Sequence, residues 1–146
     1  GWASYVEVHS YEYNNNNNDD INTLAKCNYA LTLCLHAIGD IGVNYYGWDE
    51  ARLSSYLSNW GFNSPDTAHW MYTALIANPG NYCKYVLGFI GFEELKKQAQ
   101  KDLGSDFSLK EFHRYILETG PVQFDILFSN LKEWEESLVV VSSRAA

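Results

Sequence analysis

Apolar residues recur at helix spacing from one end of this sequence to the other, and no useful stretch alternates apolar with polar residues as a half-buried strand does. That pattern restricts the chain to packed helices, and its punctuation cuts it into about seven. Trp2, Tyr5, Val6 and His9 mark a helix over Gly1 to Tyr11 that opens without a cap. Asn14 to Asn18, five Asn in a row, reads as a solvated loop. Asp20 is a plausible N-cap for a long helix from Ile21 to about Tyr45. Its predicted inward stripe is Leu24, Leu31, Leu35 and Ile38, with Cys27, Cys34 and Ile41 beside it. Gly39 and Gly42 either weaken that helix or let another backbone come close.

Asp49 caps again, with Leu53, Tyr56, Leu57 and Trp60 as the next stripe and Gly61 as its end. Ser64-Pro65-Asp66 places an N-cap before Pro at the first helical position. Asn78-Pro79-Gly80 stops that helix. A helix over Tyr82 to Leu103 follows, predicted to be buried all round from Tyr85 to Phe92. Beyond Phe92 it is amphipathic, with Leu95, Ala99 and Leu103 inward and Lys96, Lys97 and Lys101 outward. Ser108-Leu109-Lys110-Glu111 is a capping box, and Phe107 with Phe112 forms the hydrophobic staple that accompanies one. Gly120-Pro121 ends that helix. The last carries Phe124, Leu127, Phe128, Leu131, Trp134 and Leu138, and Val139 to Ala146 reads as a tail. The fold class expected is all-α, an irregular bundle of about seven helices.

The 146 residues suit one domain, and 47% hydrophobic content with three Pro excludes bulk disorder. No apolar run approaches the length of roughly 18 residues that a membrane span needs. Eighteen acidic residues against ten basic, a net charge of −8, argue against a nucleic-acid backbone as partner. The imbalance concentrates in residues 1–80, which hold two basic and eight acidic groups. Aromatic residues make up 16% of the chain and either fill its core or line a cleft. The three Cys are too few for a disulfide framework. They read as reduced, half-buried thiols, or as Cys83 bridged to one of the others.

Spacing alone yields no complete active site. His36 and Asp40, four apart on one helix, are either two metal positions or a local hydrogen bond. There is no H-E-x-x-H, no G-x-S-x-G and no glycine-rich phosphate loop. Cys83 precedes Lys84, which lowers the thiol pKa if the sulfur is exposed, though a structural Cys is the simpler reading.

Four stretches resemble the motifs of one family. Gly1-Trp2-Ala3-Ser4-Tyr5-Val6-Glu7 is similar to its E-G-W-A-x-Y-x-E segment. The run from Asp40 through Gly42 and Asn44 to Gly47-Trp48 is similar to D-x-G-[IL]-H-x-x-G-W. Pro79-Gly80 through Tyr85 to Gly88 is similar to P-[GA]-x-x-x-x-Y-x-x-G. Phe107 to His113, then Gly120-Pro121 and Phe124, resembles the family's F-x-[LI]-[KR]-E-F-H and its last helix. The family is the bacterial domain-of-unknown-function family 885, helical proteins that look like zinc metallopeptidases of the gluzincin type.

The resemblance implies that residues 1–146 are a single helical domain forming the C-terminal part of a larger protein. The family's zinc helix and its Glu ligand precede the G-W-A segment, so zinc is expected in the intact parent and no cofactor in this part. These residues then wall a cleft for a peptide-like substrate and are inert alone. Tyr85 matches the motif Tyr and would donate to an oxyanion, while Tyr82, Lys84 and Asn44 would bind substrate. Glu7 would orient a metal ligand from behind or be plain structure, with a place as the ligand itself as the alternative. Asn44 stands where many members carry His, and an amide cannot titrate. The resemblance also implies a secreted or lipid-anchored parent. A non-catalytic binding module and a self-associating structural piece with an exposed apolar face are the alternatives.

Overall fold

Seven α-helices and no strand form the described residues, 1–13 and 19–145, of a computed structural model. They are α1 (Trp2–Ser10), α2 (Asp19–Asn44), α3 (Glu50–Ser58), α4 (Pro65–Ala77), α5 (Asn81–Leu103), α6 (Leu109–Thr119) and α7 (Phe124–Ala145). The all-α expectation therefore holds. Asn14–Asn18 lie outside the described residues. Two positions differ from expectation at helix ends. Asp20 lies inside the first turn of α2 instead of capping it, and α7 runs on to Ala145, through most of the expected tail.

The chain divides into two compact units, Gly1–Ile90 and Gly91–Ala146. In the first, the core is built from Val43, Leu53, Leu57, Ala68, Met71 and Leu75 of α2, α3 and α4. Local chemistry sets the helices that carry it. Asp49 accepts the Arg52 N–H at 2.8 Å, and Ser64 Oγ accepts the Thr67 N–H at the start of α4.

The side of α2 that packs meets the predicted stripe at Leu35, which is buried, but not at its two ends. Gly39, Asp40, Gly42 and Val43 are buried, whereas Leu24 is 70% exposed and Ile38 and Ile41 are each 45% exposed. Small residues decide this. A Cβ on Gly39 would meet Met71, Leu53 and Leu75, and one on Gly42 would lie 2.3 Å from the Trp48 ring. The side chains of α3 and α4 thus settle into a groove that a larger residue would fill. Trp60 falls beyond the end of α3 and is exposed. All three cysteines are free, with Cys83 half-buried as expected and Cys27 and Cys34 exposed instead.

The N-terminal part of α5 departs from expectation for the same reason. It is apolar all round, yet Tyr85, Leu87 and Ile90 are exposed while Val86 is buried. What faces its other side within the unit is α1, through a backbone contact. A Cβ on Gly88 would lie 2.4 Å from the Gly1 Cα. Backbone cannot yield as a flexible side chain can, so Gly88→Val is expected to cost about 1–3 kcal/mol by overpacking. Urea unfolding of the variant checks this, and an unchanged midpoint would contradict it.

In the second unit, the buried apolar residues are Leu95 and Ala99 of α5, Phe112, Tyr115 and Ile116 of α6 and Leu127 and Leu131 of α7. The staple is present, with Phe107 and Phe112 ring centroids 6.0 Å apart. Half of the capping box is present as well. Ser108 Oγ accepts the Glu111 N–H, while the Glu111 carboxylate lies 3.9 Å from Arg114. Gly120, at φ 77°, ends α6 in a conformation side chains resist. Tyr115 Oη donates to the Leu127 carbonyl at 2.7 Å, and its ring stacks on Trp134. Lys96, expected outside, is 9% exposed and bonds Glu93 one turn back.

Glu135 of α7 is also buried, and its Oε1 has no hydrogen-bond partner. Burial first, and the negative charge of Asp102 second, push its carboxyl above the ordinary glutamate value. The folded unit therefore keeps a proton that the unfolded chain releases. Stability from this group is complete below the ordinary glutamate range and is lost as pH rises through the raised pKa. Wild type should accordingly gain melting temperature relative to Glu135→Gln on going from pH 7 to about pH 5. Parallel melts would contradict the assignment.

Candidate functional site

Three of the four motif stretches meet in the first unit, around the first turns of α5. Asp40 is the joint. It is 1% exposed, on a helix whose neighbouring residues are small or apolar, and it reaches a segment forty residues away. Its Oδ1 accepts the Gly80 N–H at 2.9 Å and its Oδ2 accepts the Tyr82 N–H at 3.1 Å. Asn44 Nδ2 donates to the same Oδ1 at 2.8 Å and to the Leu75 carbonyl at 3.1 Å. A carboxylate thus sits at the positive end of α5 and satisfies amides that helix geometry leaves open. Asn78-Pro79-Gly80 allows it because Gly80 turns the chain at φ 74°. The second motif is also folded on itself, with Gly47 at φ 69° returning Trp48 over Gly42.

The same joint fixes an aromatic strip. Trp70, on α4, is 60% exposed, and its ring centroid lies 6.3 Å from that of His36. His36 lies 4.6 Å from Tyr82, and Tyr82 lies 6.4 Å from Tyr85. Lys84 Nζ stands 5.7 Å above the Tyr85 ring. Among the described residues, no carboxylate pairs with Lys84 and nothing hydrogen-bonds the Tyr85 hydroxyl. Beside the strip lies an apolar cavity of about 60 Å³ lined by Leu35, His36, Phe62, Trp70 and Met71, among others.

The expected site residues fall as follows. Tyr82, Lys84 and Tyr85 come together on the first turns of α5, and Asn44 adjoins them through Asp40. The amide nitrogen of Asn44 is committed to Asp40 and Leu75, so what remains for a ligand is its side-chain oxygen. Glu7 is exposed on α1, where it accepts the Tyr11 hydroxyl at 3.3 Å. Trp70 and Phe62 carry no sequence signal for a site, because no motif contains them. Asp40 opens the second motif and stands four residues from His36, but nothing in the sequence links it to Gly80 and Tyr82.

His36 and Asp40 form neither a metal pair nor a hydrogen bond with one another. His36 Nδ1 donates to the Thr32 carbonyl at 2.8 Å, and both Asp40 oxygens hold amides. Among the described residues, no three His, Cys, Asp or Glu side chains converge to hold a metal ion. The donor set of the described residues does not fit the zinc that the motif resemblance implies, and no chemical step is derived through it. Cys83 donates weakly to the Ala37 carbonyl. Burial first, and Asp40 second, push its thiol up, the opposite of activation by Lys84.

Residues 1–131 match the family described as bacterial protein of unknown function (DUF885). No curated protein and no solved structure matches the chain.

Proposed function

The chain belongs to that bacterial family, and from this premise we propose that its first unit is one wall of a peptide-binding cleft in a zinc peptidase-like protein. The observation that carries the reading is Lys84. Residues 1–90 hold three basic groups against eight acidic. In that acidic setting a lysine without a carboxylate partner stands over an exposed tyrosine, at the end of a strip of rings. The ammonium suits the terminal carboxylate of a peptide, and the rings suit apolar or aromatic side chains. Tyr85 directs an uncommitted hydroxyl suited to a substrate carbonyl or oxyanion. Asn44 acts as a positioning residue through Asp40, with its side-chain oxygen available to an amide N–H. Glu7 serves to orient a group supplied from outside this chain. Residues other than these supply the zinc, and the chain alone is inert.

A fluorescence titration tests the reading, because Trp70 lies in the strip. An N-acetylated tripeptide ending in Phe should bind about 2–5-fold more tightly as the acid than as the C-terminal amide. Lys84→Gln should erase that preference without changing the fold. Equal affinity of acid and amide for the wild-type chain would remove Lys84 from the site. A second reading, a binding module with no catalytic partner, predicts the same titration but no metal-binding residues anywhere in the intact protein.

A further inference from the structure

We propose that the cavity beside His36 is a subsite for a branched aliphatic side chain of a bound peptide, supplied by a residue about two to four positions before its C-terminus. This rests on Lys84 as the carboxylate anchor and gives the peptide a second fixed point. Leu35, Leu57 and Met71 line the cavity and are at most 3% exposed, so they form its floor. Phe62 and Trp70, 36% and 60% exposed, stand at its mouth. The Phe62 N–H donates to the Leu57 carbonyl at 3.1 Å, which pins the backbone that carries the ring. Polar groups nearby are turned to the chain itself. Thr32 Oγ1 donates to the Asn28 carbonyl and His36 Nδ1 to the Thr32 carbonyl, both at 2.8 Å. A preformed apolar hollow of this kind is how proteins hold small apolar groups. At about 60 Å³, with roughly 10–15 Å³ for each water-sized group, it holds about four to five carbon-sized groups. A leucine or isoleucine side chain matches that volume, and a phenylalanine ring exceeds it.

Charge and continuity argue for a peptide as the occupant. His36 forms part of the cavity wall, and from it the ring strip leads through Tyr82 and Tyr85 to Lys84. Lys84 meets no carboxylate among the described residues, and residues 1–90 hold three basic groups against eight acidic. A ligand with one carboxylate is therefore attracted at that end of the strip and repelled over most of the unit. The steps from ring to ring are 4.6 Å for His36 to Tyr82 and 6.4 Å for Tyr82 to Tyr85, with the Lys84 ammonium 5.7 Å from the Tyr85 ring. About five extended residues cover that path. Two rings, Tyr82 and Tyr85, stand between the cavity and Lys84 and receive the terminal side chain. The cavity is thus filled from further upstream.

Tryptophan fluorescence of the full chain reports binding, since Trp70 lines the cavity. The probes are N-acetylated pentapeptides ending in Phe, alanine elsewhere, with a single leucine walked through the upstream positions. One position, about two to four before the end, should bind about 5–20-fold more tightly than the peptide without leucine. Phe62→Ala, at the exposed mouth, should move the preference at that position from leucine to phenylalanine. Thr67→Phe, at an exposed lining position, should erase it, with circular dichroism unchanged in both variants. Leucine equivalent at every position, or best next to the terminal Phe, with the acid still preferred over the amide, would overturn the proposal and leave Lys84 in place. A leucine preference that persists when acid and amide bind alike would remove Lys84 and keep the cavity as the aliphatic subsite. Octanoate competing as well as the best peptide would assign the cavity to a fatty acid and overturn the proposal, as would a preference that neither variant alters.

Discussion

Asp40→Ala should cost the first unit about 3–5 kcal/mol, because it strands the amides of Gly80 and Tyr82 and the side chain of Asn44 in one step. The carboxylate is buried, and three donors from two separate segments converge on it. A loss of that size is a large part of the roughly 5–15 kcal/mol that holds a typical domain together. Asp40→Asn keeps one acceptor but gives up the charge at the start of α5, and should cost about 1–2 kcal/mol. Urea unfolding followed by tryptophan fluorescence would order the variants as wild type, Asn, Ala. Equal midpoints for Ala and wild type would mean that water replaces the carboxylate and that the joint is not what positions α5.

Tyr85→Phe should leave stability and peptide affinity nearly unchanged and lower turnover by the intact protein about a hundredfold. The ring is the part already engaged, in contact with Tyr82 and under Lys84. Phenylalanine preserves both contacts, so only the hydroxyl is removed. A donor aimed at developing negative charge acts in the transition state, which places the loss in kcat and not in KM. A rise in KM alone would make Tyr85 a substrate-holding residue. Unchanged kinetics would remove it from the site.

Much of this arrangement is local and therefore legible in the sequence. Asp49, Ser64 and Ser108 accept the N–H three residues on, as their positions before helix spacing indicate, and Gly120 ends α6 where Gly-Pro says it should. Periodicity marks a helix without saying which of two apolar faces is covered. In α2 the covered face is the one with Gly39 and Gly42, since small residues let neighbouring side chains approach, and the larger Leu24, Ile38 and Ile41 stay outside. The site divides the same way. Tyr82, Lys84 and Tyr85 could be named because a motif holds them within four residues. Asp40 could not be assigned its part, because its partners lie forty and forty-two residues away. Lys96 followed neither rule, since a lysine's long stem can lie along the core while its ammonium bonds Glu93.

A peptide-binding wall is tested most directly by where a peptide touches the chain. Amide and side-chain NMR shifts recorded while an N-acetylated tripeptide ending in Phe is added should move at His36, Trp70, Tyr82, Lys84 and Tyr85. The C-terminal amide of the same peptide should move them less at equal concentration. Shifts confined to other residues, or none at millimolar peptide, would contradict the assignment of these residues to a peptide-binding wall.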